Sequence, residues 1–286
     1  MANQKNKGDR HQVLIVFLLF IVLVLISVMV GTFNKINILE KSPVTEMPDI
    51  DPVEEEVAES VGKIAIIIDD FGYRNDEISE GFLLMDTHLT YAIIPGHEFS
   101  QTMSKKASLS GYEVIAHMPL GTTVPSFGED EYIIKASMTS AEIEARMEKV
   151  LSHLPEVVGM NNHQGSKASA NKRVMNVMGT VLKSHGKYFL DSRTTKETQA
   201  ESTMRMLGVL TGRRHVFLDN NPDEKAIHQQ LYLLAEKSKL YGFAVGIGHV
   251  KKNTLNVLQQ EIPKLKAANY EFVFVSEVVN LLMSIM

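Results

Sequence analysis

From Lys63 to the C-terminus, short runs of β-branched and aliphatic residues alternate with longer stretches whose apolar positions recur at helical spacing. That alternation predicts repeated βα units on a parallel sheet. The apolar runs fall at Ile64–Ile68, Leu89–Ile94, Glu113–Ala116, Val157–Met160, Tyr188–Leu190, Val216–Leu218, Phe243–Ile247 and Phe272–Val275. Helical period marks Ser140–Leu154, Ala170–Ser184, Asp223–Leu240 and Thr254–Ala268, and Ser276 with Glu277 opens a last helix; Ser140, Thr254 and Ser276 are the expected N-caps. Several of the strands carry no polar alternation, as strands covered on both faces do not. The expected architecture is an α/β closed or nearly closed barrel, with a doubly wound open sheet as the alternative.

The N-terminal region breaks this rhythm. Val13–Val30 is an unbroken apolar run of bilayer length behind Lys5, Lys7, Arg10 and His11. Residues 1–12 therefore read as a cytoplasmic basic tail and 13–31 as a transmembrane anchor, with a cleaved secretory signal as the alternative. Residues 32–61 are acidic and hold Pro43, Pro48 and Pro52, the composition of a disordered linker. The folded domain, 62–286, is then expected outside the cytoplasmic membrane. Its partners on this reading are the membrane, through the N-terminal helix, and a substrate. A net charge of -5 with scattered Lys and Arg lacks the footprint that phosphate backbones require, so no nucleic-acid partner is expected. There is no cysteine, which leaves only N and O donors to hold any metal.

Reactive side chains gather where the predicted strands end. Asp69 and Asp70 follow the first, His97 the second, His117 the third, Asn161, Asn162 and His163 the fourth, Asp191, Ser192 and Arg193 the fifth, Asp219 the sixth and His249 the seventh. The C-terminal strand ends are the functional face of parallel α/β folds. Two adjacent acids at the mouth of an apolar strand need a cation or a raised pKa, and one can ligate a metal while its neighbour handles a proton. A carboxylate with His117 and His163 makes a facial set that leaves positions open for water and substrate, suited to zinc or another borderline divalent ion. His249, on a Gly-x-Gly-His turn whose small residues admit close approach, reads as a general acid. Asp191 and Arg193 are either a loop-closing ion pair or functional groups, Arg193 orienting an acid of the first motif and Asp191 binding substrate. Asn161 and Asn162 cap a helix or bind substrate hydroxyls, and His97 is a further candidate for substrate contact. Asp219 reads as no more than the turn before the Asp223 helix.

The ordered segments IIIDDFG, AIIPG, GYEVIAHMPLG, GMNNHQGS, FLDSRTT, FLDNN and GIGH resemble the divergent polysaccharide deacetylases, relatives of the NodB-like carbohydrate esterases, over nearly all of the chain after Lys63. The resemblance implies a distorted (β/α) barrel of seven to eight parallel strands and metal-dependent removal of acetyl groups from a polymeric sugar. By position it makes Asp69 the catalytic base, Asp70 the metal-binding acid, His117 a metal ligand and His249 the catalytic acid. The esterases place a second histidine four residues after the first, where this chain has Gly121, and their Arg-Pro-Pro-Tyr motif is absent. The resemblance then implies His163 as the replacement ligand and Arg193 as the replacement arginine. The expected activity is hydrolysis of acetyl groups on a cell-envelope glycan with a divalent cofactor such as zinc, and the alternative is a membrane-tethered glycan-binding or regulatory domain that has lost turnover.

Overall fold

The structure is a computed structural model that describes residues 18–30, 60–121 and 129–284. The chain divides into two compact units, 1–57 and 58–286. In the first, α1 (residues 18–30) is an apolar helix with exposed side chains. Among the described residues no helix is long and apolar enough to cross a membrane. The expected anchor is thus seen only in part, because 13–17 and 31 lie outside the described residues, as do the basic tail and the linker through residue 59.

The second unit holds the βα alternation in the order β1 (Gly62–Phe71), α2 (Glu77–Leu83), β2 (Thr90–Ile93), α3 (Ser100–Leu109), β3 (Glu113–Leu120), α4 (Ser140–His153), β4 (Gly159–Gln164), α5 (Ser166–Ser169), α6 (Lys172–Ser184), β5 (Tyr188–Asp191), α7 (Ala200–Leu207), β6 (Thr211–Arg213), β7 (Val216–Phe217), α8 (Glu224–Tyr241), β8 (Phe243–His249), α9 (Lys252–Ala267), β9 (Tyr270–Val273) and α10 (Val275–Ser284). The strands form one parallel sheet in the order β6-β5-β4-β3-β2-β1-β8-β7, with β9 against the start of β1. Its two ends, β6 and β7, are separated along the chain only by Arg214 and His215. The Arg214 N–H donates to Asp191 on β5 and the His215 N–H to Val245 on β8, so one broken strand carries the chain from one edge of the curled sheet to the other.

Period-2 alternation sorts side chains onto the two faces. Ile64, Ile66 and Ile68 join the large cluster under the helices, whereas Ala65 and Ile67 join Ile115, Leu190, Val245 and Ile247 in a smaller one closed by Val275, Val278 and Val279 of α10. Continuing along that second face leads from Ile67 to Asp69, from Ile115 to His117, from Gly159 to Asn161 and His163, and from Ile247 to His249. The polar rim is therefore the upper layer of the inner face.

The structure departs from the expected elements in several places. β3 and β4 run on through polar residues because their ladder continues to Leu120 and Gln164. The Gly-containing β6 and the helices α3 and α7 were not expected. The cap of α4 is Thr139, in a capping box with Glu142, rather than Ser140. Lys251 rather than Thr254 precedes α9.

Candidate active site

The two acids of the first motif reach one site because β1 is irregular there. In a regular strand Asp69 and Asp70 would point to opposite faces. The register against β2 instead shifts between Ile68 and Phe71, and Asp70 adopts φ 69°, in the left-handed region. A bulge of this kind re-aims a side chain. Both carboxylates end against the same imidazole: Asp69 Oδ1 lies 3.6 Å from His117 Nδ1, and Asp70 Oδ1 lies 3.4 Å from His117 Nε2. Left-handed backbone at a non-glycine residue costs about 1–3 kcal/mol, a strain typical of functional sites.

His163 arrives from β4, whose ladder places it beside Pro119 of β3. Its Nδ1 is 3.0 Å from His117 Nε2 and 3.3 Å from Asp70 Oδ1. One ligand atom from each of Asp70, His117 and His163 lies within 4.8 Å of the others. Asp70 Oδ1 is buried and has no hydrogen-bond partner, which is costly unless a cation takes it up. An orphaned carboxylate oxygen facing two imidazole nitrogens is the donor set of a divalent-ion site with open positions, so the residues fit the group.

The surroundings fix these ligands. His117 Nδ1 is 2.7 Å from Asn161 Oδ1, and Asn161 Nδ2 donates to Asp69 Oδ1 at 2.8 Å. With Nδ1 as the donor in that bond, His117 Nε2 is left to a metal. Burial works against a proton on His117, but Asp69 and Asp70 prevail and raise it to about 9. Burial would likewise raise Asp70; the close imidazoles of His117 and His163, at 3.4 and 3.3 Å, with the charge of His117, outweigh it and hold that carboxyl well below its ordinary range. Asp69 moves the other way. It is almost wholly buried, and that burial, with the like charge of Asp70, raises it against the pull of His117 and His249. The two neighbours are thereby driven apart in proton affinity, Asp70 downward and Asp69 upward.

On the opposite side, His249 Nε2 is 4.0 Å from Asp70 Oδ2. Its Nδ1 donates to Asp219 Oδ1 at 2.7 Å, and its backbone N–H donates to Asp219 Oδ2 at 2.9 Å. Thr254 Oγ1 completes that carboxylate at 2.8 Å. Burial disfavours the imidazolium of His249, but the bond and charge of Asp219 overcome this and raise its pKa. Asp219, read in the sequence as a turn residue, is thus the partner that orients His249; its place at the end of the sixth predicted strand was the available signal. The close approach expected at Gly246 and Gly248 is made by packing side chains. A Cβ on Gly246 would lie 2.6 Å from Leu234 Cδ2, and one on Gly248 would lie 3.1 Å from the Thr254 methyl.

The remaining expected site residues do other work. Asn161 spends both ends of its amide on Asp69 and His117, which makes it a positioning residue rather than a substrate ligand. Asn162 falls on the opposite face of β4 and ties loops together, accepting from Ser192 N–H at 2.9 Å and donating to Gln164 O at 3.0 Å. Asp191 is buried and accepts from Arg193 N–H at 2.8 Å and Thr198 Oγ1 at 2.9 Å, so it closes its own loop. The Arg193 side chain makes no hydrogen bond or ion pair to Asp69 or Asp70; it lines a groove beyond the rim. The arginine whose charge does couple to Asp69 is Arg214, half-buried, bonded to Ser192 O at 2.8 Å and lying 4.7 Å from the Phe217 ring, itself 5.2 Å from the His249 ring. Its position was hidden in the sequence because β6 was. His97 stands 3.2 Å from Glu129 Oε1 and packs on Tyr73, whose hydroxyl donates to the same oxygen.

These features define a class: α/β proteins with a curled, half-barrel parallel sheet whose strand ends carry a candidate divalent-ion donor set between a raised carboxyl and an Asp-paired histidine. The chain belongs to the divergent polysaccharide deacetylase family, whose model matches residues 66–279. It is 34% identical over 204 residues to the protein YibQ of Escherichia coli, covering 71% of this chain and 63% of that relative, so it spans a little under two thirds of the relative's length. In fold it is similar to the protein ATU2773 of Agrobacterium tumefaciens, with a TM-score of 0.72 at 17% identity, covering 78% of this chain and 90% of that one. It also shares the fold of a mutant of BA3943 from Bacillus anthracis, a CE4 family pseudoenzyme, with a TM-score of 0.50 at 16% identity, covering 76% and 67%.

Proposed function

We propose that this chain is a metal-dependent hydrolase that removes acetyl groups from a cell-envelope polysaccharide, with zinc as the ion held by Asp70, His117 and His163. The observation that carries this reading is the convergence of the three donors on a buried, unpartnered oxygen of Asp70 beside a second carboxyl that is raised. When bound, a divalent ion polarises an acyl carbonyl and lowers the pKa of water. Asp69 has the elevated proton affinity of a general base and accepts the proton of the attacking water. Asn161 keeps its carboxylate aimed at the site. His249, whose pKa Asp219 raises, faces the site through Nε2 and donates a proton to the departing amine or alcohol. The apolar run before the domain supports a membrane-tethered location outside the cytoplasm.

The test is elemental analysis of the purified full-length chain together with acetate release from acetylated chitooligomers and peptidoglycan fragments across a panel of divalent ions. The expected result is about one ion per chain, lost in Asp70→Asn and in His163→Ala. Full metal content in both variants would overturn the ligand assignment. Glycan binding without acetate release under any ion would replace hydrolysis by a binding role.

A further inference from the structure

In a (β/α) barrel each strand is followed by a helix that covers its outer side. Between β6 and β7 the connection is only Arg214 and His215, and no helix intervenes. A groove of about 850 Å³ lies there, bounded by α7 on one side and by the end of α8 on the other. Cationic side chains that are far apart in the sequence line it: Arg193, Lys196, Arg205, Arg213, Arg214 and Lys237. The lining holds one carboxylate, Glu201, and two of these cations already share it, Arg205 at 2.8 Å and Arg213 at 3.5 Å. The side chains of Arg193, Lys196 and Lys237 form no ion pair among the described residues. A chain of net charge -5 has thus gathered a concentrated positive field at one place.

His215, in the same lining, accepts the Val245 N–H at Nδ1 at 2.9 Å, so its ring hydrogen is on Nε2 and is a further donor. Burial and the charges of Arg213 and Lys237 keep this imidazole neutral, with its pKa lowered to about 4. The other wall is apolar: Tyr241, Phe243 and Leu282. Guanidinium groups match the geometry of tetrahedral oxyanions with paired N–H donors, and an aromatic wall accepts a sugar ring or an acyl chain beside them.

We propose that the groove between α7 and α8 is a binding site for a phosphoryl-bearing ligand, whose phosphate lies among Arg193, Arg213, Arg214 and Lys237 and whose body rests on Tyr241 and Phe243. Its lining includes none of Asp70, His117 and His163 and binding there does not require hydrolysis, although the charge of Arg214 also reaches Asp69. Two sources share this chemistry, a phospholipid headgroup and a phosphorylated sugar, and the experiment separates them.

The full-length chain is titrated calorimetrically with dioctanoyl phosphatidic acid, with glucose 1-phosphate, and with dioctanoylglycerol and glucose as phosphate-free controls. Binding of phosphatidic acid alone assigns the lipid source; binding of glucose 1-phosphate alone assigns the sugar source; binding of both places the recognition in the phosphate itself. The Arg213→Glu/Lys237→Glu double variant changes two exposed or half-exposed positions and is expected to weaken binding by about tenfold or more while melting near the wild-type temperature and keeping its metal content. If the double variant misfolds, Arg213→Gln and Lys237→Gln are measured singly, with severalfold weakening expected of each. No binding of either phosphate compound, equal binding of the phosphate-free controls, or wild-type affinity in the folded variants overturns the proposal.

Discussion

Replacing Asp219 by Asn tests the role given to His249 without removing any group that would hold a metal. The carboxylate receives His249 Nδ1 at 2.7 Å, the His249 backbone N–H at 2.9 Å and Thr254 Oγ1 at 2.8 Å. An amide of the same shape keeps one acceptor and loses the charge. A hydrogen bond to a charged partner contributes about 1.5–3 kcal/mol. At 1.36 kcal/mol per decade of rate, loss of that stabilisation from the imidazolium corresponds to a fall of about 10–100-fold in kcat/KM near neutral pH. The sign of the pH effect is fixed. A general acid works in its protonated form, so activity is present below its pKa and lost above it. Because Asp219 raises that pKa, its removal moves the alkaline limb of the profile to lower pH. The assay is acetate release from acetylated chitooligomers over pH 5–9, with bound metal measured in parallel. A variant that keeps its metal and loses activity uniformly, with the alkaline limb unmoved, would refute the assignment of His249 as the proton donor.

Three further outcomes are expected. Asn161→Leu leaves Asp69 Oδ1 and His117 Nδ1 without their hydrogen bonds in a buried site; a loss of about 2 kcal/mol or more, read as a fall of at least about 4 °C in the thermal midpoint, is expected, and an unchanged midpoint would count against the bridging role. His215 is neutral when folded, with a pKa near 4 against an unfolded value of about 6.5. The unfolded chain therefore binds a proton that the folded one does not, and stability conferred above pH 6.5 is lost as pH falls toward 4. The imidazole is partly open to water, which reduces the full shift to about 2 kcal/mol; because His117 and the carboxyls titrate in both proteins, urea unfolding at pH 7.5 and 4.5 is expected to show a stability change on acidification that is less favourable by about that amount in the wild type than in His215→Asn, and an equal pH dependence in the two would count against it. Gly72 has φ 116°, and a Cβ there would meet Ile94 O at 2.9 Å and Ser100 Oγ at 3.0 Å. Gly72→Ala is expected to cost about 1–3 kcal/mol and to reduce metal uptake by displacing Asp70, and wild-type metal content in that variant would show that the turn does not position the acid.

The strands were legible because β-branched runs between helical stretches leave few other ways to bury apolar surface. Asp70, His117 and His163 could be chosen because each follows such a run, at the end of a strand where parallel folds place their chemistry. The reading was less accurate where a residue's role depends on which face it occupies. Asn161 and Asn162 are adjacent in sequence, yet one is wired to Asp69 and His117 and the other to the Ser192 backbone, since alternation sends them to opposite faces. Arg193 and Arg214 were indistinguishable as charges, and β6, three residues including Gly212, carries too little apolar content to be recognised and to locate either of them.

What the amino-acid order determined by itself is local: strand and helix periods, the acid pair closing an apolar run, the absence of thiol ligands and the apolar segment before the domain. Tertiary structure decided everything that requires segments remote along the chain to meet. It brought His117 and His163 to Asp70, turned Asp70 back onto the face of Asp69 through a bulge, gave His249 its Asp219, and gathered scattered cations along the broken strand. Periodicity encodes which side a residue shows, but distances between segments are set by strand order and register, and these are resolved only when the whole sheet closes on its core.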